Sequence, residues 1–392
     1  MAFPERFSNL PEYAFPRLRA LLDPHPAGGE PIAMTIGEPR HAMPPFVGDV
    51  LAGALQGFAK YPANEGTSAL LEAILGWVAR RYGVALTAER LMVLNGTREG
   101  LFNAALALCP ETKRGARPVI LTPNPFYQVY AVAALAVGAE PVYVPATAET
   151  GHLPDYRALP GDVLDRVAIA YLCSPANPQG AVASESYLSD LLDLAEKHDF
   201  RVFADECYAE IYRDAPPPGI LSVASAKGVD PERVLAFHSL SKRSNLPGLR
   251  SGFVAGGVQS MRAVRQLRAY AGAPLPEPLQ AVATAAWADE DHVTRSRALY
   301  REKYAIADRV LGNVPGYVTP QAGFFLWLPV ADGETAALKL WRETGVRVLP
   351  GSYLSRTVDG HNPGAGYIRV ALVGPADETE RGLTRLRDCL YG

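Results

Sequence analysis

Between residues 91 and 255, short and nearly continuous apolar runs alternate with stretches whose apolar residues recur at helical spacing. Residues 91–94, 119–122, 141–144, 167–172, 201–204, 234–237 and 252–255 read as strands, and 98–108, 129–137 and 185–198 as helices. A strand without polar alternation is buried on both faces. Such strands, separated by helices, predict an α/β fold with a mostly parallel sheet sandwiched in three layers. Upstream, 51–59 and 68–82 carry helical periodicity on either side of a Tyr61–Gly66 loop. Past Gly257 the pattern changes: helices at 258–270, 279–288 and 293–311, a strand at 324–329, a helix near 335–344, strands at 346–349 and 367–372, and a closing helix at 378–390. This predicts a smaller α+β domain. Residues 1–48 are proline-rich with one short helix near 15–22. The expected division is an N-terminal arm (1–48) joining the small domain, a large domain (49–275) and the small C-terminal domain (276–392).

In a mostly parallel sheet, chemistry gathers on the loops beyond the carboxyl ends of the strands. After 91–94 comes Asn95-Gly96-Thr97-Arg98-Glu99-Gly100, a glycine turn opening a helix whose free N–H groups can receive an anion. Alone it equally reads as a threonine N-cap. After 119–122, Pro123-Asn124-Pro125-Phe126-Tyr127-Gln128-Val129-Tyr130 projects aromatic rings that can stack on a planar ligand, at least one of them expected in the core. After 167–172, Pro178 restrains Asn177, so its amide can be aimed. After 201–204, Asp205-Glu206-Cys207-Tyr208 places a carboxylate at the end of a buried strand, where it needs a partner: a salt bridge or a protonated ring nitrogen.

The run after 234–237 is the most pointed: His238, then Ser239-Leu240-Ser241-Lys242-Arg243-Ser244-Asn245-Leu246-Pro247-Gly248-Leu249-Arg250. Pro247-Gly248 prevents a regular helix after Lys242. Hydroxyls, a lysine and an arginine eight residues on suit a Schiff-base lysine holding a phosphorylated aldehyde, with Arg250 on the phosphate. Read alone, the run is also a basic surface turn. In the arm, Ile36-Gly37-Glu38-Pro39 marks a turn where glycine admits close approach.

Composition narrows the field. A 392-residue chain, 48% apolar and 20% charged with net charge −3, fits a soluble globular protein without attraction to nucleic acid or anionic membranes. No stretch reaches the ~18 apolar residues of a membrane span, and Met1-Ala2-Phe3-Pro4-Glu5-Arg6 lacks a secretory pattern. Cys109, Cys173, Cys207 and Cys389 form no C-x-x-C pair, and the seven histidines show no H-x-x-x-H spacing. Reduced thiols in the cytoplasm and no metal are expected.

Taken in order, these loops resemble the pyridoxal-phosphate-dependent class I/II aminotransferases of fold type I, over nearly the whole chain. The resemblance implies Lys242 as the Schiff-base lysine, Asp205 on the pyridine nitrogen, and Tyr208 and Asn177 on the phenolic oxygen. It implies Tyr127 stacked on the ring, and Gly96, Thr97, Arg98, Ser239, Ser241 and Arg250 at the cofactor's phosphate end. Tyr61 would reach the phosphate from the neighbouring subunit, making a homodimer. Arg369 would clamp the substrate α-carboxylate, with Gly37 and Asn177 in the same pocket. Pro11-Glu12-Tyr13-Ala14-Phe15-Pro16-Arg17-Leu18, Gly37-Glu38-Pro39-Arg40-His41, Pro123-Asn124-Pro125-Phe126-Tyr127 and the lysine run from Ser241 to Arg250 are similar to one branch, the N-succinyl-diaminopimelate aminotransferases of bacterial lysine biosynthesis, for which exchange with glutamate/2-oxoglutarate is implied. Ala14 and Pro16 depart from that branch, where proline and glutamate are more usual. Arg40, Arg98 and Arg243 are candidates for a second substrate carboxylate.

Alternatives stand beside this reading. Aspartate, alanine or aromatic amino acids are other possible donors, and a β-lyase would use the same cofactor residues. Ser239-Leu240-Ser241-Lys242 also satisfies the S-x-x-K of acyl-serine enzymes, but S-D-N and K-T-G are missing. A pyridoxal-phosphate-binding regulator would need a DNA-binding module, and no basic region is present.

Overall fold

The computed structural model describes residues 5–8, 10 and 12–392. Residues 1–4, on which much of the leader reading rests, and Pro11, which opens the arm motif, lie outside the described residues.

The arm contributes one short strand, β1 (Ile32–Ala33). The large sheet is built from β2 (Leu91–Leu94), β3 (Val119–Asn124), β4 (Glu140–Pro145), β5 (Val167–Cys173), β6 (Arg201–Asp205), β7 (Val234–Ser239) and β8 (Gly252–Ala255). The last four strands are β9 (Phe325–Pro329), β10 (Val346–Arg347), β11 (Leu349–Pro350) and β12 (Tyr367–Ala371). The large sheet runs β2-β8-β7-β6-β5-β3-β4, and β8 alone is antiparallel to its neighbours. The loops after β2, β3, β5, β6 and β7 therefore leave from one edge. Because β8 runs the other way, Arg250 just before it reaches that same edge.

Both faces of the sheet are covered, as the unbroken apolar strands require. Leu91 and Val93 pack into a core with Trp77 and Trp287. Met92 and Leu94, pointing oppositely, join Tyr130, Phe203 and Val264. The helix Ser68–Tyr82 illustrates how local chemistry sets these elements. The Thr67 side chain accepts the Leu70 N–H at its start, and Gly83 ends it at φ +67°. A separate antiparallel sheet, β11-β12-β9, packs with Ile32 and Met34 of the arm and with the helices Asp291–Leu311 and Ala376–Leu390 in another core.

The structure differs from the sequence pattern in several places, among them β1 and the short helix Gly161–Leu164, which carried no assignment. The 51–59 segment is an α-helix over Val47–Ala54 followed by a 3-10 turn, Leu55–Ala59. The helix Ile220–Lys227 carried no assignment; Pro216-Pro217-Pro218-Gly219 ahead of it masks its start. The 346–349 run divides because its partners differ: β10 pairs parallel with β1, and β11 pairs antiparallel with β12. Among the described residues no helix is long and apolar enough to cross a membrane.

Candidate active site

A cavity of about 330 Å³ opens at the carboxyl edge of the large sheet. Of the cofactor-binding and α-carboxylate-pocket residues that the resemblance implied, all but Gly96 and Tyr61 line it. Gly96 sits immediately behind, and Tyr61 is fully exposed on this chain.

Lys242 lies in a four-residue helix, Leu240–Arg243, that Pro247 and Gly248 do not allow to continue. Ser239 starts it: its Oγ accepts the Ser241 N–H at 3.1 Å and lies 2.9 Å from the Ser241 hydroxyl. Lys242 Nζ donates to the Gly37 carbonyl, and its hydrogen bond is not with Ser239 as an acyl-serine site would want. Burial draws the Lys242 pKa from 10.5 down to about 8; Arg369 and, less, Arg250 push the same way, while Cys207 and Glu38 oppose.

This shift has a consequence for stability. Below about pH 8 Lys242 is charged in both folded and unfolded chains, so the cost of burying the charge is fully present. Between about 8 and 10.5 the folded state has released the proton and the unfolded state has not, so stability rises with pH. Lys242→Met in cofactor-free protein is expected to be more stable than wild type at pH 7 by on the order of 2–3 kcal/mol. Urea titrations should show that advantage shrinking toward pH 10; an advantage that grows with pH would contradict the assignment.

Asp205 ends β6, 5% exposed. Its Oδ2 accepts from Tyr130 Oη at 2.7 Å and its Oδ1 from the Cys207 N–H at 3.3 Å. Burial raises its pKa, and these hydrogen bonds hold it back. Among the described residues no cation pairs with it. Phe126 and Tyr130 are thus the core rings of the Pro123–Tyr130 loop, and the Tyr130 hydroxyl orients the aspartate. Tyr127, which stays at the cavity, accepts from Arg98 Nε at 2.8 Å. Tyr208 is buried, its ring edge-on to Phe324, and burial drives its hydroxyl pKa well above the usual value.

Arg250 adopts φ +56° and spends its guanidinium on the carbonyls of Pro247 (2.8 Å) and Asn95 (3.3 Å). A Cβ added at Gly96, itself at φ +82°, would lie 2.2 Å from Arg250 Nη2. Glycine is needed there for both space and conformation. Beside it Thr97 opens the helix Thr97–Leu108, with Oγ1 3.0 Å from Cys207 Sγ. At the other end, Arg369 on β12 donates to Asn177 Oδ1 at 3.0 Å and to the Thr35 carbonyl at 2.7 Å, and lies over the Phe325 ring. Its Nε is buried and unpartnered, and among the described residues no carboxylate pairs with it. Burial lowers its pKa to about 10.

These residues fit pyridoxal phosphate. A helix N-terminus with Arg250 and two serines suits a dianion, the unpaired Asp205 carboxylate suits a protonated ring nitrogen, and a partly deprotonated lysine lies between them. The sequence model of the family described as Aminotransferase class I and II matches residues 30–386. The chain belongs to this family. It is a pyridoxal-phosphate-dependent aminotransferase that moves an amino group between an amino acid and a 2-oxo acid. It is 33% identical to the LL-diaminopimelate aminotransferase of Dehalococcoides mccartyi over 98% of each chain. It is also 33% identical to that of Desulforudis audaxviator over 100% of this chain and 99% of the relative. Among solved structures it resembles an aminotransferase from Neisseria meningitidis at 36% identity and TM-score 0.94, covering 98% of this chain and 99% of that one. Aminotransferase AspB from Helicobacter pylori, at 34% identity, superposes with TM-score 0.90 over 99% of both chains.

Groups that the residue patterns did not reveal also hold side chains of the site. The Thr35 carbonyl that orients Arg369 belongs to the backbone, so no side chain could announce it. Tyr130 stands three residues after Tyr127, and only its helical position turns it toward Asp205. Of the three candidate second-carboxylate arginines, Arg40 pairs with Glu378, and Arg243 is buried against Glu290 and the Trp287 ring. Only Arg98 lines the cavity.

Proposed function

We propose that this aminotransferase takes its amino group from N-succinyl-LL-2,6-diaminopimelate and exchanges it through glutamate and 2-oxoglutarate in lysine biosynthesis. The observation that carries the reading is Arg369. A buried guanidinium with a free Nε and, among the described residues, no carboxylate partner, facing the same cavity as Lys242 and Asp205, is built to receive an α-carboxylate. When bound, pyridoxal phosphate supplies an aldehyde that condenses with amines and a ring that accepts an electron pair.

In the proposed assignment Asp205 keeps the ring nitrogen protonated, and Asn177 and Tyr208 hold the phenolic oxygen. Tyr127 stacks on the ring, and Gly96, Thr97, Ser239, Ser241 and Arg250 bind the phosphate. Lys242 Nζ takes the α-proton and returns it; a pKa of about 8 lets the amine exist free near neutrality.

The donor's far end supports the finer reading. N-succinyl-diaminopimelate carries further carboxylates but no distal ammonium, and Arg98 is the remaining cation at the cavity wall. The relatives named for LL-diaminopimelate place the same carbon skeleton in view. The test is a donor panel against 2-oxoglutarate: N-succinyl-LL-diaminopimelate, free LL-diaminopimelate, aspartate, alanine and aromatic amino acids, with ammonia release monitored. The succinylated donor should have the highest kcat/KM without ammonia. Preference for free diaminopimelate or aspartate would overturn the substrate while leaving the reaction standing. Arg98→Gln should raise KM for the succinylated donor about tenfold, as loss of a charge-assisted hydrogen bond would. It should leave alanine unchanged; equal effects on both donors would remove Arg98 from recognition.

We also propose a cytoplasmic homodimer, divided as 1–48, 49–275 and 276–392. Distinct cores around the two sheets support the division, and four free cysteines support the compartment. Tyr61, fully exposed on a loop beside exposed Phe58 and Leu55, supports a role across an interface. Tyr61→Phe should weaken cofactor retention by about 1 kcal/mol, the worth of one hydrogen bond. Equilibrium dialysis measures it, and unchanged retention would remove Tyr61 from the phosphate site.

A further inference from the structure

Residues 35–43 pass over the cavity between the arm strand β1 and the helix Val47–Ala54. Among the described residues, none of the backbone–backbone hydrogen bonds outside helices and strands involves this segment; the last before it joins the Ala371 N–H to the Met34 carbonyl, and the first after it is made by Val47. Side chains hold it instead. Arg369 donates to the Thr35 carbonyl, Lys242 to the Gly37 carbonyl, Arg40 pairs with Glu378, and Lys303 Nζ lies 2.6 Å from His41 Nε2. The first two anchors are groups of the active site itself. The third is substantially exposed on its arginine side, and such pairs contribute little.

The fourth anchor differs in kind. Lys303, on the long helix Asp291–Leu311, is 2% exposed, and among the described residues no carboxylate lies within salt-bridge distance of it. A buried ammonium with one neutral acceptor is costly to leave unpaired. Releasing His41 therefore costs more than breaking a neutral hydrogen bond. The pair also continues into the site by ring contacts. His41 packs on Tyr300 with centroids 4.5 Å apart, and Tyr300 stacks on Phe324 at 5.7 Å. Lys242 Nζ is 5.3 Å from the Phe324 centroid. Burial and then the Lys303 charge lower the His41 pKa to about 4, keeping its ring neutral and able to accept. Arg40, Glu302 and Glu378 are the other charged groups acting on Lys303.

We propose that His41 and Lys303 are a positioning pair for amino-acid binding: their hydrogen bond fixes residues 35–41 so that the Thr35 carbonyl holds the Arg369 guanidinium in register for the substrate carboxylate. Neither residue lines the cavity. The pair acts through backbone that, among the described residues, has no backbone–backbone hydrogen bond to hold it. The inference rests on the assignment of Arg369 as the carboxylate clamp.

The test follows the half-reaction of the holoenzyme with L-glutamate by the absorbance change of its cofactor, beside thermal unfolding. His41→Leu should raise the half-saturating glutamate concentration about tenfold, the size of one lost coupling between contacting groups. The limiting rate and the resting cofactor spectrum should stay as in wild type. His41→Gln, whose carbonyl oxygen can accept from Lys303, should restore most of the affinity. The deciding variant is His41→Leu/Lys303→Met, which removes the buried charge and refills the space with apolar groups. It should recover the melting temperature but keep the raised half-saturation. Recovery of both, or a lowered melting temperature with unchanged half-saturation in His41→Leu, would mean that the pair only fills the core and would overturn the proposal. Should the single variant not fold, the double variant decides alone. Arg369→Lys in the same assay separates the two claims: if it leaves half-saturation unchanged, the clamp assignment fails whatever His41 does.

Discussion

Lys242→Ala is expected to slow the glutamate half-reaction by about 10³-fold or more while leaving the fold intact, the scale on which a positioned proton carrier acts. The expectation rests on geometry. Among the described residues Lys242 Nζ is the only lysine amine lining the cavity, it is largely buried, and its pKa of about 8 lets it both take and return a proton near neutrality. Two neighbours are poor substitutes: burial raises the Tyr208 and Cys207 pKa values well above their usual ranges, so neither is a ready base. Small primary amines added to the assay should recover part of the rate, because a free amine is what the variant lacks. Single-turnover absorbance measures both effects. A rate within tenfold of wild type would assign the proton to another group.

Arg369→Ala should cost about 2–5 kcal/mol in kcat/KM for every amino donor, the usual loss when one member of a buried charged hydrogen-bonded pair is removed. Asn177 Oδ1 and the Thr35 carbonyl, which now accept from the guanidinium, would lose their donor as well. Arg369→Lys keeps a charge but not the planar fork, so it should recover only a minor part. Cofactor affinity should change little in either variant, since the proposed assignment puts the phosphate on Arg250 and the Thr97 helix, away from Arg369. Loss of cofactor together with substrate affinity would show that Arg369 shapes the whole cavity.

How far the site was legible follows from where its residues sit. Asp205, Ser239, Asn177 and Thr97 each come just after an apolar run, and a parallel sheet sends those loops to one edge. The order of loops along the sequence therefore already implied a shared cavity. Arg250 joined them because β8 alone is reversed, a fact of topology that its local sequence does not carry. Arg40, Arg98 and Arg243 were indistinguishable as residues; their partners Glu378, Tyr127 and Glu290 separate them only in three dimensions. The 346–349 run looked like one strand because periodicity reports burial, and burial does not change where the pairing partner does. The His41–Lys303 contact spans 262 residues of sequence between the arm and the long helix. No local pattern marks either residue, and each alone reads as an ordinary polar position.

The most direct test of the account is borohydride reduction of the yellow holoenzyme followed by peptide mapping. Reduction should abolish the visible band and leave the cofactor attached as a secondary amine on the peptide containing Lys242, and on no other lysine. A colourless or borohydride-insensitive protein, or label on a different lysine, would contradict the site described here.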